Sequence, residues 1–143
     1  AKYDDDDIAR RLSGFDNYVE VNRAALREIY RQVGPELVLD ADGMAQRGMV
    51  VRHMVLPGGL SGSHGVARWL AAELDPKVHV SIMNQYFPAH RAVGDPLLGR
   101  KVSNEEYAAA IDAFVDAGLE TGWQQEPCCD EEMGNAFNAD WDG

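Results

Sequence analysis

Residues 49–56 read MVVRHMVL, and this stretch decides the fold class. It is apolar on both faces except at its centre, which is typical of a strand that is covered on both sides in a parallel sheet. Because successive side chains alternate, Arg52 and His53 should point to opposite faces, one to the interior side of the sheet and one to the helix layer. A buried arginine would need an anionic partner, either a carboxylate of the protein or that of a ligand.

The segments around this strand alternate between helical and strand periodicity. A short helix follows the aspartates at 4–7, and an amphipathic helix spans 17–33. A third helix runs to residue 74 from the serines at 61 and 63, which offer N-cap oxygens, and a fourth follows a capping box at 103–106 and ends at Gly118. Strands are predicted at 36–39 and 78–83. This order predicts an α/β protein with parallel strands and right-handed crossovers.

Two long strands and one short strand do not close a barrel, since a (β/α)₈ barrel takes about 250 residues. A free parallel edge in so small a chain would invite pairing. The pattern therefore indicates a fragment, a half-barrel dimer, or a partner that supplies more strands. Residues 120–143 show no periodicity and predict an irregular acidic tail.

Composition excludes several classes of function. The 143 residues carry a net charge of −11, which disfavours binding to nucleic acid or anionic lipid. No apolar run reaches the roughly 20 residues of a membrane helix and no signal peptide is seen, so a cytoplasmic protein is expected. The two cysteines, Cys128 and Cys129, are adjacent, and the four histidines have no chelating spacing, so no metal site is predicted.

Polar residues at two strand ends are candidates for a ligand site. The Gly-rich turn at 56–63 could offer backbone N–H groups to an anion, although such turns are common for conformational reasons alone. It does not reproduce the Gly-x-Ser-x-Gly nucleophile elbow, so no hydrolase triad is predicted. Asn84, Gln85 and Tyr86 end the second strand, where they either contact a ligand or face water. The aspartates at 4–7 either bind a hard cation weakly or favour the start of a helix.

Five segments together resemble a known family. Residues 18–21 (YVEV), 30–34 (YRQVG), 43–48 (GMAQRG), 51–58 (VRHMVLPG) and 83–88 (MNQYFP) resemble the C-terminal half of radical S-adenosylmethionine proteins. The nearest group is that of proteins similar to pyruvate formate-lyase activating enzyme. The resemblance covers residues 2–119, and the tail at 120–143 lies outside it.

The resemblance implies a partial (β/α)₆ TIM-like barrel, of which residues 1–119 would form the C-terminal half. In that family a Cys-x₃-Cys-x₂-Cys loop holds a [4Fe–4S] cluster, which cleaves S-adenosylmethionine to a 5′-deoxyadenosyl radical. The activating enzymes use this radical to oxidise a glycine of a partner glycyl-radical enzyme. That cysteine motif is absent here, so this chain's own residues cannot hold the cluster, and activity is expected only with a cluster-bearing N-terminal half.

The resemblance also implies site residues, although it assigns no catalytic one. Lys2 corresponds to the lysine of an Asp-x-Lys motif that contacts S-adenosylmethionine, with the aspartate just before Ala1. Arg52 and His53 correspond to the fifth-strand motif. Residues 84–86 (Asn84, Gln85 and Tyr86) lie at the end of the sixth strand, near the adenine. The alternative is a non-catalytic α/β accessory or dimerisation module, with self-association in place of the missing half.

Overall fold

A computed structural model describes residues 1–119 and 121–124, which form a mixed α/β structure. The elements in chain order are α1 (Asp6–Ser13), α2 (Tyr18–Val33), β1 (Val38–Leu39), β2 (Ala45–Arg47), β3 (Val50–Met54), α3 (Ser63–Glu73), β4 (His79–Met83), α4 (Asn104–Asp116) and β5 (Gly122–Gln124). Two short 3-10 turns, Pro57–Gly59 and His90–Gly94, follow β3 and β4. The predicted α/β alternation is confirmed.

The main sheet is parallel, and its strand order β3-β4-β5 is the order of the chain. Helix α3 connects β3 to β4, and α4 connects β4 to β5. In the middle of the sheet Arg52, Ser81 and Trp123 are register partners, so their side chains lie in one row on the same face. The predicted parallel β/α units are thus present.

Strand β5 lies where the sequence predicted only an irregular tail. Gly122 pairs with Val80, and a Cβ atom at Gly122 would collide with the Val80 carbonyl group, so the close approach of the two backbones requires glycine. The sequence pattern missed this strand because it is three residues long and exposed on both faces. Residues 125–143, including Cys128 and Cys129, lie outside the described residues.

The short strand predicted at 36–39 exists, but it does not join the main sheet. Strand β1 pairs with β2 in an antiparallel hairpin, and the sequence predicted no strand at the residues of β2. The Asp40 carboxylate closes the turn by accepting hydrogen bonds from the backbone N–H groups of Asp42 and Met44, at 3.0 and 2.9 Å. The main sheet of the described residues therefore contains three strands.

Helices α2, α3 and α4 pack on one face of the main sheet. The core there joins Val51, Val55, Val80 and Ile82 of the strand segments to apolar residues of the three helices, among them Leu26, Val66, Leu70, Tyr107, Ala110 and Phe114. Tyr107 also donates a hydrogen bond of 2.9 Å from its hydroxyl group to the carbonyl of Ile82. These contacts hold the helix layer against β3 and β4 through apolar burial.

The aspartates at 4–7 lie at the start of α1, and three of them have separate structural roles. Asp5 caps α1 by accepting a hydrogen bond from the N–H of Ile8 at 2.9 Å, and Asp6 accepts one from the N–H of Val19 at 2.8 Å. Asp7 pairs with Arg10 across an exposed turn of the helix. The run therefore starts α1 and links it to α2, as expected for acidic residues at a helix N-terminus.

Glu106 ties the Gly-rich turn to the start of α4. Its carboxylate accepts hydrogen bonds from the backbone N–H of Gly58 at 2.7 Å and of Ser103 at 2.9 Å, and two more from the Arg100 guanidinium at 2.7 Å each. Ser103 accepts from the N–H of Glu106, which completes the predicted capping box. The Arg100 hydrogen bonds are the main cause that lowers the pKa of Glu106 to about 2.

We expect Glu106→Gln to lower the free energy of unfolding by about 2 kcal/mol, because hydrogen bonds to a charged group are replaced by weaker neutral ones. Urea denaturation at pH 7 measures the change. Glu105→Gln is the matched control, because the Glu105 side chain is exposed on the same turn of the helix. Equal stability losses in the two variants would contradict the linking role of Glu106.

Among the described residues, no helix has the length and apolar character needed to cross a membrane.

Candidate functional site

Three chain segments meet at the carboxyl end of β3. Tyr3, Leu56 and Ala9 are buried in a second, smaller cluster, against which Met54 and Tyr86 also pack. Residues 1–3, the end of β3 and the end of β4 therefore converge, although they are far apart in the chain. The carboxyl ends of parallel strands are where α/β proteins bind ligands.

Lys2 lies beside the outer edge of β3. The amino group of Ala1 donates a hydrogen bond of 2.7 Å to the carbonyl of Arg52, so residues 1 and 2 run next to this edge. The backbone N–H of Lys2 donates to the Tyr18 hydroxyl at 2.9 Å, and its Nζ lies 5.1 Å from the centre of the Tyr3 ring. The lysine is thus held at the same end of the sheet as Tyr86.

Arg52 and His53 point to opposite faces of β3, as the sequence predicted. His53 is fully buried on the helix side, where its ring lies 5.1 Å from that of Phe114. Arg52 is exposed on the other face, and among the described residues it forms no ion pair. The structure therefore does not bring these two predicted site residues together.

The three residues that follow β4 differ in exposure. Tyr86 is half-buried, and its hydroxyl donates to the carbonyl of Leu98 at 2.8 Å, which ties the strand end to the 87–102 loop. Burial and the negative charge of Asp95 raise the pKa of Tyr86, so its hydroxyl stays protonated at neutral pH. Asn84 is half-buried and Gln85 is exposed. The strand end can thus offer amide and hydroxyl groups to a ligand.

One face of the main sheet carries no helix layer in the described part of the chain. On this face lie Val50 and Arg52, which are exposed, His79 and Ser81, which are half-buried, and Trp123, which is 52% exposed. Toward the carboxyl end this face is covered, since Met83 is buried and Met54 packs against the smaller cluster that includes Ala9 of α1. Because parallel sheets are normally covered on both faces, this face is suited to a ligand or to further protein.

A chain of hydrogen bonds runs from the carbonyl of Ala1 through His53 to Ser63 and Ser61. Its Nδ1 lies 3.1 Å from the carbonyl oxygen of Ala1 and its Nε2 lies 2.9 Å from Ser63 Oγ, which in turn lies 3.2 Å from Ser61 Oγ. Ser61 is fully buried and accepts from the N–H of Leu56 at 3.4 Å. The sequence predicted that Ser61 and Ser63 cap α3, but neither side chain forms a capping hydrogen bond, because both hydroxyl groups belong to this chain.

A cleft of about 600 Å³ opens beside this chain, between the N-terminus of α3 and the side of α4. Its walls include Ser63 and small residues of both helices, with carboxylates at its rim. At the start of α3 the Asp4 carboxylate lies so close to Gly62 and Gly65 that a Cβ atom at either glycine would collide with it. The protein's own carboxylate thus occupies the place where the Gly-rich turn could have offered N–H groups to an anion.

The described part of the chain lacks the side-chain groupings that a metal ion or an iron–sulfur cluster needs. Within residues 1–119 and 121–124, no three His, Cys, Asp or Glu side chains are grouped so as to hold a metal ion. The described residues include no cysteine, whereas a [4Fe–4S] cluster is held by cysteine thiolates. The described residues therefore do not fit such a cluster.

No protein-family model, curated protein or solved structure matches this chain.

Proposed function

We propose that this chain is the C-terminal part of a radical S-adenosylmethionine barrel and that it binds S-adenosylmethionine at the carboxyl ends of β3 and β4. The observation that carries the proposal is the convergence of Tyr3, Leu56 and Tyr86 at the carboxyl end of a sheet face that, within the described residues, has no helix layer over Val50 and Arg52. A barrel needs this arrangement, because its strands follow chain order, its helices lie outside and its ligands bind at the carboxyl ends.

The residues at this end of the sheet suit the parts of the ligand. Arg52 is exposed and forms no ion pair among the described residues, so its guanidinium is available for the carboxylate of the methionyl group. Asn84 and Gln85 have amide groups of the kind that recognise an adenine. Lys2 is held beside the edge of β3. His53 faces the helix layer, so we assign it a supporting role here rather than a contact with the ligand.

The cluster chemistry would come from another part of the barrel. The described residues offer no thiolate ligands, so the proposal assigns them binding and orientation of S-adenosylmethionine and no step of radical formation. A glycyl-radical enzyme as the protein partner remains an expectation from the resemblance. The outer edge of β3 is where a preceding strand of a barrel would pair, because residues 1 and 2 already lie along it.

Calorimetric titration of S-adenosylmethionine into the purified chain tests the proposal. We expect saturable binding that is weakened about tenfold in Lys2→Ala and in Arg52→Ala, since hydrogen bonds to a charged group contribute about 1.5–3 kcal/mol. Lys77→Ala is the control, because Lys77 is exposed next to the amino end of β4, away from the site. Absence of saturable binding to the folded chain, or equal affinity in all variants, would contradict the proposal.

Self-association is the second candidate function, and the uncovered sheet face favours it. A second copy that covered this face would bury Trp123 and Val50, which are 52% and 37% exposed in the single chain. In that case the chain would act as a dimerisation module, and its mass in solution by light scattering would be that of a dimer.

A further inference from the structure

The donor and acceptor of each hydrogen bond at His53 follow from the chemical groups involved. The carbonyl oxygen of Ala1 can only accept, so the Nδ1 of a neutral His53 carries the ring proton and donates it. Nε2 is then an acceptor, and Ser63 donates its hydroxyl proton to it at 2.9 Å. Ser61 in turn donates to Ser63 Oγ, because the Ser63 proton is already committed. Ser63 therefore has the arrangement of an activated nucleophile, with a base and a group that orients the base.

The positions of the two side chains suit that arrangement. Ser63 is half-buried and lines the cleft, whereas His53 is fully buried behind it. Burial lowers the pKa of His53 to about 4, so the imidazole is neutral at pH 7. A neutral imidazole can accept the proton of the hydroxyl group.

We propose that Ser63 and His53 form a nucleophile–base pair that hydrolyses esters of positively charged alcohols in the cleft between α3 and α4. Ser63 Oγ forms a bond to the acyl carbon while its proton passes to His53 Nε2. The bond between the acyl carbon and the alcohol oxygen breaks, and His53 returns the proton to the departing alcohol. Water then attacks the acyl carbon and gives a proton to His53, the bond between the acyl carbon and Ser63 Oγ breaks, and His53 returns the proton to Ser63 Oγ as the acid leaves.

The charges that line the cleft select the class of substrate. Three carboxyl side chains, those of Asp4, Asp112 and Asp116, line the cleft together with the guanidinium of Arg68. Glu106 also lines it, but its carboxylate is paired with Arg100. Such an excess of negative charge attracts a cation and repels an anion. The backbone N–H groups in the first turn of α3 have no acceptor within the helix, and they would donate to the oxygen of the reacting acyl group once that oxygen takes the place of the Asp4 carboxylate.

Asp4 opposes this last interaction, because its carboxylate lies against the same turn of the helix. Neutralising Asp4 should therefore favour the reaction, whereas neutralising the rim of the cleft should weaken the attraction of the cation. The two effects have opposite signs and can be separated.

Two measurements with the whole chain test the pair. A fluorophosphonate probe should label Ser63, as located by peptide mass spectrometry. Acetylthiocholine, the thioester analogue of a choline ester, should be hydrolysed at its bond between the acyl carbon and sulfur, with release of thiocholine. Both reactions should fall about a hundredfold or more in Ser63→Ala and in His53→Gln, in line with the contribution of a general base. Ser81→Ala is the matched control, since Ser81 lies on the other face of the sheet and should keep full activity.

Charge variants test the substrate class. Asp112→Asn with Asp116→Asn should reduce the preference for acetylthiocholine over uncharged p-nitrophenyl acetate several-fold, and Asp4→Asn should raise the rate with p-nitrophenyl acetate.

Labelling elsewhere than at Ser63, or hydrolysis that persists in Ser63→Ala, would overturn the proposal. If His53→Gln does not fold, protection of wild-type Ser63 from the probe by acetylthiocholine decides instead. These results are independent of S-adenosylmethionine binding, which involves the other face of β3.

Discussion

Phe114→Ala is expected to lower the free energy of unfolding by about 3–5 kcal/mol, the usual cost of truncating a buried phenylalanine. Phe114 is 1% exposed and packs within the core that joins α4 to the sheet, with its ring 5.1 Å from that of His53. Removal of the ring leaves a cavity at the point where the helix layer meets β3.

Urea denaturation followed by circular dichroism measures this loss. Val115→Ala is the matched control on the same helix, because Val115 is 50% exposed and its truncation should cost less than about 1 kcal/mol. If both variants lost the same small amount of stability, α4 would not pack on the sheet as described. Since Phe114 and His53 are in contact, their substitutions should not be additive.

Stability should fall by roughly 3 kcal/mol as the pH is lowered from about 6.5 to about 4, because His53 is buried in its neutral form. Its pKa is about 4 in the folded protein, against an ordinary value of 6.5. Above pH 6.5 the group is neutral in both states and has no effect. Between the two values the unfolded chain binds a proton that the folded chain does not, so this contribution is lost as the pH falls through that range.

The comparison of wild type with His53→Gln isolates this contribution, since glutamine does not titrate. The difference in unfolding free energy between the two proteins should shrink from pH 7 to pH 4. His64→Gln is the control, because His64 is exposed and one residue beyond Ser63. A wild-type pH dependence that survives unchanged in His53→Gln would show that other groups cause it.

Local sequence signals predicted most of the elements, and they failed where pairing is non-local. The apolar run at 49–56 and the capping box at Ser103 are local features, and both have the predicted structure. Strand β5 has no such signal, since only the backbone of Val80 requires Gly122. In the β1–β2 hairpin the sequence predicted β1 but not β2, because β2 is exposed and has no apolar pattern. The side chain of Asp40 closes the turn between the two strands.

In the candidate site, too, local features were predicted from the sequence and non-local contacts were not. The sequence predicted correctly that Arg52 and His53 point to opposite faces of β3, because successive side chains alternate between the two faces in any strand. The His53–Ser63 hydrogen bond could not be read from the sequence, since it depends on how the turn after β3 folds back. The signal that could have indicated it was a histidine within an apolar strand, which needs polar partners when buried.

The chain-order arrangement of β3, β4 and β5 also bears on how the protein is made. Each new strand adds to the edge of the sheet already formed, with its helix between. No strand has to be inserted between two that are already paired, so the sheet can grow as the polypeptide leaves the ribosome. Each unit would find its docking edge already folded, and the most recently synthesised strand would always be the exposed one.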